Sequence, residues 1–258
     1  MTPPTPSTEQ EVAQLRTLLA QRERQLAEMG QAYEDFLRAV SHDLRAPLRH
    51  VTSYGTLLAE VLPEAGLQGP AWEEAEEFLG TMNQSARRMG QMLDGLLALS
   101  RIVRAPLQRQ PVALAALLAE VQTELAVRTA QRSIEWQAQL QTAHVEADAA
   151  LLRQLLRQLL DNALKFTQSR SPARIAIACW RNTEGQVGLR IQDNGVGFNP
   201  AQAAGLFGLF QRLHRENEFE GVGAGLAAVR AIAKRHGGDA QASAILGEGC
   251  TVTVTWPS

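Results

Sequence analysis

The sequence predicts two parts of different class: an all-α helical hairpin led by an N-terminal coiled coil, able to pair with a second copy as a dimeric four-helix bundle, followed by an α+β sandwich. Three observations carry this. Apolar residues recur at alternating steps of three and four from Val12 to Val40. A second helical run with the same spacing follows a turn rich in Gly and Pro. Beyond residue 111, period-two strands alternate unevenly with helices and glycine-rich loops.

Residues 1–8 read as a disordered start. From 9 to 35 the seam runs through Val12, Leu15, Leu19, Leu26, Met29 and Tyr33, and reaches Phe36 and Val40. Arg22 interrupts it. Four heptads without a cap or breaker favour a coiled coil over a lone amphipathic helix. Continuing the steps would place Asp43 in the seam, whereas the apolar residues are Leu44 and Leu48. The phase therefore slips around His42 and Asp43, and Pro47, one turn on, removes a backbone donor and favours a kink. Residues 36–103 complete the hairpin: "PEAGLQGP" is the turn, and Phe78, Met82, Met89, Leu93, Leu96 and Ser100 mark the second helix, from about Trp72 to Val103. "RAPLQRQP", 104–111, carries two prolines and no apolar period, and reads as a linker. The sandwich, 112–258, is expected to hold helices near 114–129, 149–166 and 225–235. Strands are expected near 134–137 and 143–146, and in "RIAIACW", "VGLRIQD" and "TVTVTW".

A hydrophobic content of 45 %, a charged content of 20 % and a formal net charge of −2 exclude pervasive disorder and a basic nucleic-acid footprint. Cys179 and Cys250 sit in alternating apolar runs and are expected as buried thiols, which fits a reducing cytosol. The sequence has no apolar run long enough to span a membrane and no signal-peptide pattern. A cytoplasmic chain is expected, taking its input from small molecules, a partner protein or an upstream sensor region outside this sequence.

Three motifs carry chemistry. In "DNGVGF", Asp193 ends a strand, and Gly195 and Gly197 let the backbone turn closely around a ligand. In "GVGAGLAAV", Gly221, Gly223 and Gly225 precede a helix whose free N–H groups suit an anion. Either alone is equally a tight turn, and the βαβ unit of a dinucleotide fold is absent. In "RQLLDNALKFT", Gln158, Asn162 and Lys165 share one helix face, which suits Mg²⁺ and phosphate oxygens but is also compatible with an ordinary solvated face. Lys165 stands against a strong arginine bias, since its sole companion among the 25 basic residues is Lys234.

Together these segments resemble the catalytic ATP-binding domain of sensor histidine kinases, a branch of the gyrase/Hsp90/MutL ATP fold. "RQLLDNALKFT" is similar to the N box, "DNGVGF" to the G1 box, "LFGLFQRLH" to the F box and "GVGAGLAAV" to the G2 box. The resemblance implies Asn162 as an Mg²⁺ ligand with Gln158 beside it, Lys165 as a phosphate contact and Asp193 as acceptor for the adenine amino group. It implies Gly195 and Gly197 in the same pocket, and Gly221, Gly223 and Gly225, with Leu226, in the phosphate-facing turn. Phe207 and Phe210 would anchor a lid that brings Arg212 or Arg215 to the phosphates. Gln158 departs from the family's usual Asn. ATP-hydrolysing relatives have a glutamate there to activate water, so an amide fits transfer rather than hydrolysis.

"FLRAVSHDLRAPL" resembles the H box of the same kinases. The resemblance implies His42 as phosphoacceptor through Nε2, with Asp43 holding or taking the Nδ1 proton. It further implies a homodimer, ATP and Mg²⁺, and transfer to an aspartate of a response-regulator receiver domain. Ala46 stands where relatives that dephosphorylate their regulator have Thr or Asn, so weak phosphatase activity is expected. His50, His144, His214 and His236 are expected as surface or packing residues, with His214 a lid contact. "HDLRAPLR" also resembles kinases joined to soluble sensors, including phytochrome-like photoreceptors. Two rivals are an ATP-hydrolysing clamp, which would need a carboxylate at position 158, and a degenerate kinase serving as a dimeric scaffold or phosphotransfer module.

Overall fold

The helical periodicity resolves into α1 (Thr8–Glu64) and α2 (Pro70–Arg104) in a computed structural model that describes residues 8–127, 129–215 and 218–258. The expected disordered start falls outside the described residues, apart from Thr8, which opens α1. The chain divides into two compact units between Asn83 and Gln84, within α2.

In the first unit α1 continues through Pro47, which lacks the N–H that would bond the carbonyl four residues back, that of Asp43. The heptad seam stays uncovered: Leu15 is 64 % exposed, Leu26 and Met29 70 % each. Nothing among the described residues buries it. The two helices approach closely where Gly55 faces Asn83, since a Cβ at 55 would lie 2.3 Å from Asn83 Oδ1. No helix among the described residues is long and apolar enough to cross a membrane.

The second unit is built on a five-stranded sheet ordered β2-β4-β5-β7-β6, formed by β2 (Ile134–Leu140), β4 (Ala173–Arg181), β5 (Gln186–Asp193), β7 (Gly249–Pro257) and β6 (Asp239–Ile245). β2 pairs parallel with β4; the other pairs are antiparallel. Register sets Cys179, Leu189, Val254 and Ala240 in one cross-strand row, and all four are buried. Alternation therefore works as expected, with one face apolar and the other carrying exposed Arg174, Arg190 and Gln192. Cys179 is the buried thiol its sequence context implies, and burial pushes it up to about 11.

The apolar face packs against α3 (Leu114–Ala126), α4 (Ala149–Phe166) and α5 (Gly225–Arg235). Leu152, Leu155, Leu156, Leu159 and Leu160 of α4 are at most 2 % exposed, each burial worth about 2 kcal/mol. Arg153 on the same helix pairs with Glu120 and Glu124 of α3. The stretch 104–111, expected as a linker, gives its second half to a strand. β1 (Arg109–Ala113) pairs antiparallel with β3 (His144–Asp148), a pairing invisible to local pattern because Pro111 interrupts it.

Both ends of α4 are fixed. Asp148 caps the N-terminus by accepting from Ala150 and Leu151 N–H, and it also accepts from Gln108 N–H. Burial raises the Asp148 carboxyl, but these three hydrogen bonds outweigh it and hold the group below its ordinary range. At the C-terminus the Arg132 guanidinium donates to the carbonyls of Leu164 and Thr167, both at 2.8 Å. Replacing Asp148 with Ala removes the cap and strands Gln108 N–H, so the sheet unit should lose about 2 kcal/mol, read as a lower urea midpoint with unchanged slope.

Candidate functional site

α4 presents its leucines inward, which leaves Gln158, Asn162 and Lys165 half-buried on the opposite face. The loop before α5 meets that face. A Cβ on Gly225 would lie 2.7 Å from Gln158 Oε1 and 3.9 Å from Asn162 Nδ2, so the loop backbone passes close to both amides. A Cβ on Gly221 would lie 3.7 Å from Lys165 Nζ. The amides and the ammonium therefore face the glycine loop, and Leu226 packs against the core behind it. Ala224, the N-cap of α5, gives no side-chain cap, which leaves the first-turn N–H groups suited to an anion.

Asp193 stands where β5 ends. Its Oδ1 accepts from Gly195 N–H at 2.8 Å and Cys250 N–H at 3.3 Å. Burial pushes its carboxyl up to about 6, against the lowering effect of those two bonds. Gly197 has φ +61°, and a Cβ there would meet Ile245 O at 2.1 Å, so the turn lies hard against the β6–β7 hairpin. Arg170 braces the same corner, donating to Gly195 O and Gly247 O.

The segment from Phe207 to Phe219 borders the loop. Phe207 packs against the core beneath the Arg230 guanidinium, 5.8 Å from its ring. Phe210 has φ +63° and donates its N–H to Gly223 O at 3.0 Å. Arg212 donates to the carbonyls of Phe219 and Arg215. Its guanidinium is thus engaged within its own segment. Arg215 is exposed, and its N–H donates to Glu218.

In the first unit, His42 and Asp43 project outward from α1, with side chains 85 % and 79 % exposed, while Leu37 and Ser41 are buried. His42 Nδ1 lies 3.1 Å from Asp43 Oδ1. A carboxylate at Nδ1 orients the ring and leaves Nε2 as the outward nitrogen.

Sequence reasoning places Phe166 with Leu155 and Leu159 on the packing surface and misses its ring contacts, as it misses Arg170, Phe219 and the polar contact of Cys250. Cys250 reads as one more apolar position in a strand, yet its N–H holds Asp193, and burial together with Asp193 pushes its thiol up to about 12. Among the described residues no cluster of His, Cys, Asp or Glu could hold a metal. The oxygen donors of Asn162 and Gln158 nevertheless fit Mg²⁺, which binds through few protein groups when phosphates supply the rest.

Both parts of the chain are similar to known proteins. Residues 147–258 match the family described as histidine kinase-, DNA gyrase B- and HSP90-like ATPase, and residues 32–104 match the His Kinase A (phospho-acceptor) domain. Adaptive-response sensory kinase SasA of Synechococcus sp. (strain JA-3-3Ab) is 30 % identical over 262 residues, covering 99 % of this chain and 67 % of the relative. Circadian input-output histidine kinase CikA of Synechococcus elongatus is 29 % identical, covering 86 % of this chain and 30 % of the relative. The chain thus spans under a third of CikA. Among solved structures, full-length ShkA in complex with AMPPNP gives a TM-score of 0.60 at 25 % identity, covering 86 % of this chain and 45 % of that one.

Because the folded-state carboxyl of Asp193 sits above its unfolded value, its charge costs stability increasingly as pH rises past about 4 and in full above about 6. Asp193→Asn should therefore raise the melting temperature at pH 8, and the gain should fade as pH falls from about 6 to about 4 and be absent below that; thermal melts at stepped pH values check this.

Proposed function

The chain belongs to the sensor histidine kinase family, and on that footing we propose that it is an ATP-dependent autokinase that phosphorylates His42 and passes the phosphoryl group to an aspartate of a response regulator. The observation that carries this is the convergence of Gln158, Asn162 and Lys165 on the loop from Gly221 to Gly225, in a chain whose exposed histidine has a carboxylate at Nδ1.

The proposed roles follow from chemistry. Asp193, with Oδ1 taken by two N–H donors, offers Oδ2 to the adenine amino group, and Gly195 and Gly197 shape the turn beside it. Lys165 and the N–H groups at the start of α5 contact the phosphates. Asn162, with Gln158, holds Mg²⁺, which when bound supplies charge neutralisation at the phosphates. His42 Nε2 attacks the γ-phosphorus; the bond from phosphorus to the bridging oxygen breaks, ADP leaves, and Asp43 takes the Nδ1 proton as charge develops on the ring. Gln158 has no basic carboxylate to activate water, which favours transfer over hydrolysis. The uncovered heptad seam of α1 supports a homodimer with a coiled-coil lead. The sensor input lies with a partner or a further region.

The scaffold reading rests on the longer amide of Gln158 alone. It predicts weak or absent nucleotide binding, whereas the autokinase reading requires binding.

With γ-³²P-ATP and Mg²⁺, wild type should acquire acid-labile, base-stable label. His42→Gln should acquire none, and Asp43→Asn should label about 100-fold more slowly. Label retained in His42→Gln would move the acceptor elsewhere. With Ala46 in place of a polar side chain, this protein with ADP should leave a purified phospho-regulator essentially as stable as it is alone; rapid loss of the regulator's label would contradict that assignment.

A further inference from the structure

α2 carries glycines at 80, 90 and 95, although glycine is a poor helix former. A Cβ on Gly80 or Gly90 would meet nothing within 4 Å. Gly95 differs. A Cβ there would lie 2.8 Å from the Cβ of Ala224 and 3.8 Å from Phe210 Cε1. Ala224 is the N-cap of α5 and lies within the glycine loop, and Phe210 donates its N–H to Gly223 O of the same loop at 3.0 Å. The bare backbone of α2 thus rests on the junction between the glycine loop and the segment that borders it.

The contact is also held from the far end of α5. Arg235, the last residue of that helix, donates to the carbonyls of Val103 and Ala105, and Ile102 is buried in the same core as Val229 and Ile232 of α5. From Gly95 to Val103 α2 rises about 12 Å, and from Ala224 to Arg235 α5 rises about 16 Å, so the two segments run side by side in one direction. Pinned at Val103, α2 has little freedom to step aside at Gly95. The loop has little room on its other side: a Cβ on Gly223 would lie 2.5 Å from Gln211 O and 2.9 Å from the carbonyl carbon of Phe210. An alanine methyl has no rotamer with which to evade a neighbour, so displacement at Ala224 passes into the loop backbone.

We propose that Gly95 is a positioning residue for the glycine loop, and that α2 through this contact sets the affinity of the site for ATP. This rests on the nucleotide reading of the site. A side chain at 95 displaces Ala224, and the N–H groups at the start of α5 move with it, away from the phosphates they would meet. The coupling is reciprocal. A nucleotide that fixes the loop favours α2 in this seat, and an input that shifts α2 along α5 alters nucleotide affinity by the same factor.

The test is titration calorimetry of Mg²⁺-AMPPNP, which does not transfer its phosphate, on the full chain. Gly95→Ala should weaken binding about tenfold, the cost of misplacing one or two N–H groups that face charged oxygens. Alanine is the better helix former, so the loss cannot come from a weakened α2. Gly90→Ala, which makes the same change where the Cβ meets nothing, should stay within about twofold of wild type. The deciding arm removes the opposing methyl: in an Ala224→Gly background, whatever its own affinity, Gly95→Ala should change binding by less than about twofold. Wild-type affinity in Gly95→Ala overturns the proposal. So does a loss that persists undiminished in the Ala224→Gly background, or an equal loss in Gly90→Ala. A wild type that does not bind the nucleotide overturns the nucleotide reading and this proposal with it.

Discussion

The elements that place α4 in the sheet unit meet at Asp148. Its carboxylate caps α4, its side chain also takes Gln108 N–H at the entry to β1, and its own N–H donates to His236 Nε2 at 3.0 Å. His236 in turn donates from Nδ1 to Ile232 O at 2.8 Å, which fixes the neutral tautomer with Nε2 as acceptor. One buried node thus ties the starts of β1 and α4 to the end of α5. Burial pushes the imidazole down, so this arrangement is fully stabilising above the ordinary imidazole range and weakens as pH falls through it toward the depressed value, where the acceptor nitrogen gains a proton. Everything that α4 presents to the glycine loop inherits its placement from this node and from Arg132.

Strongly periodic elements were legible in the sequence. α4 and α5 begin and end where spacing and glycine place them, and the alternating strands fall in register with their apolar residues inward. β1 and β6 were not, for different reasons. β1 contains a proline and exists only because β3 pairs with it, while β6, "DAQASAI", is short in bulky apolar residues and rests on β7. The helix face with Gln158, Asn162 and Lys165 was readable from spacing. The contacts of Cys250, Phe166 and Phe219 were not, because they join residues far apart in the chain and no local period reports such a meeting. His236 illustrates the same limit: its sequence context separates it from an acceptor histidine but gives no sign that it is buried at 3 % exposure and bonded through both nitrogens.

The site combines groups of opposite electrostatic character. Asp193 is a carboxylate raised by burial, and Cys250 beside it is a thiol raised further by that neighbour. A thiol so far from ionising is a packing group with an inert sulfur, and its contribution passes through the backbone N–H. The cationic chemistry rests on Lys165, in the last turn of α4, and on the N–H groups at the start of α5.

The connection between α2 and β1 sets a length scale for the whole. Four residues, 105–108, join the end of α2 to the first residue of β1, and even drawn straight they reach on the order of 15 Å. Arg235 shortens that further by donating to the carbonyls of Val103 and Ala105. With Ile102 buried in the same core, the end of α2 belongs to the sheet unit, and the four residues that follow it are part of that unit's framework and not a free tether.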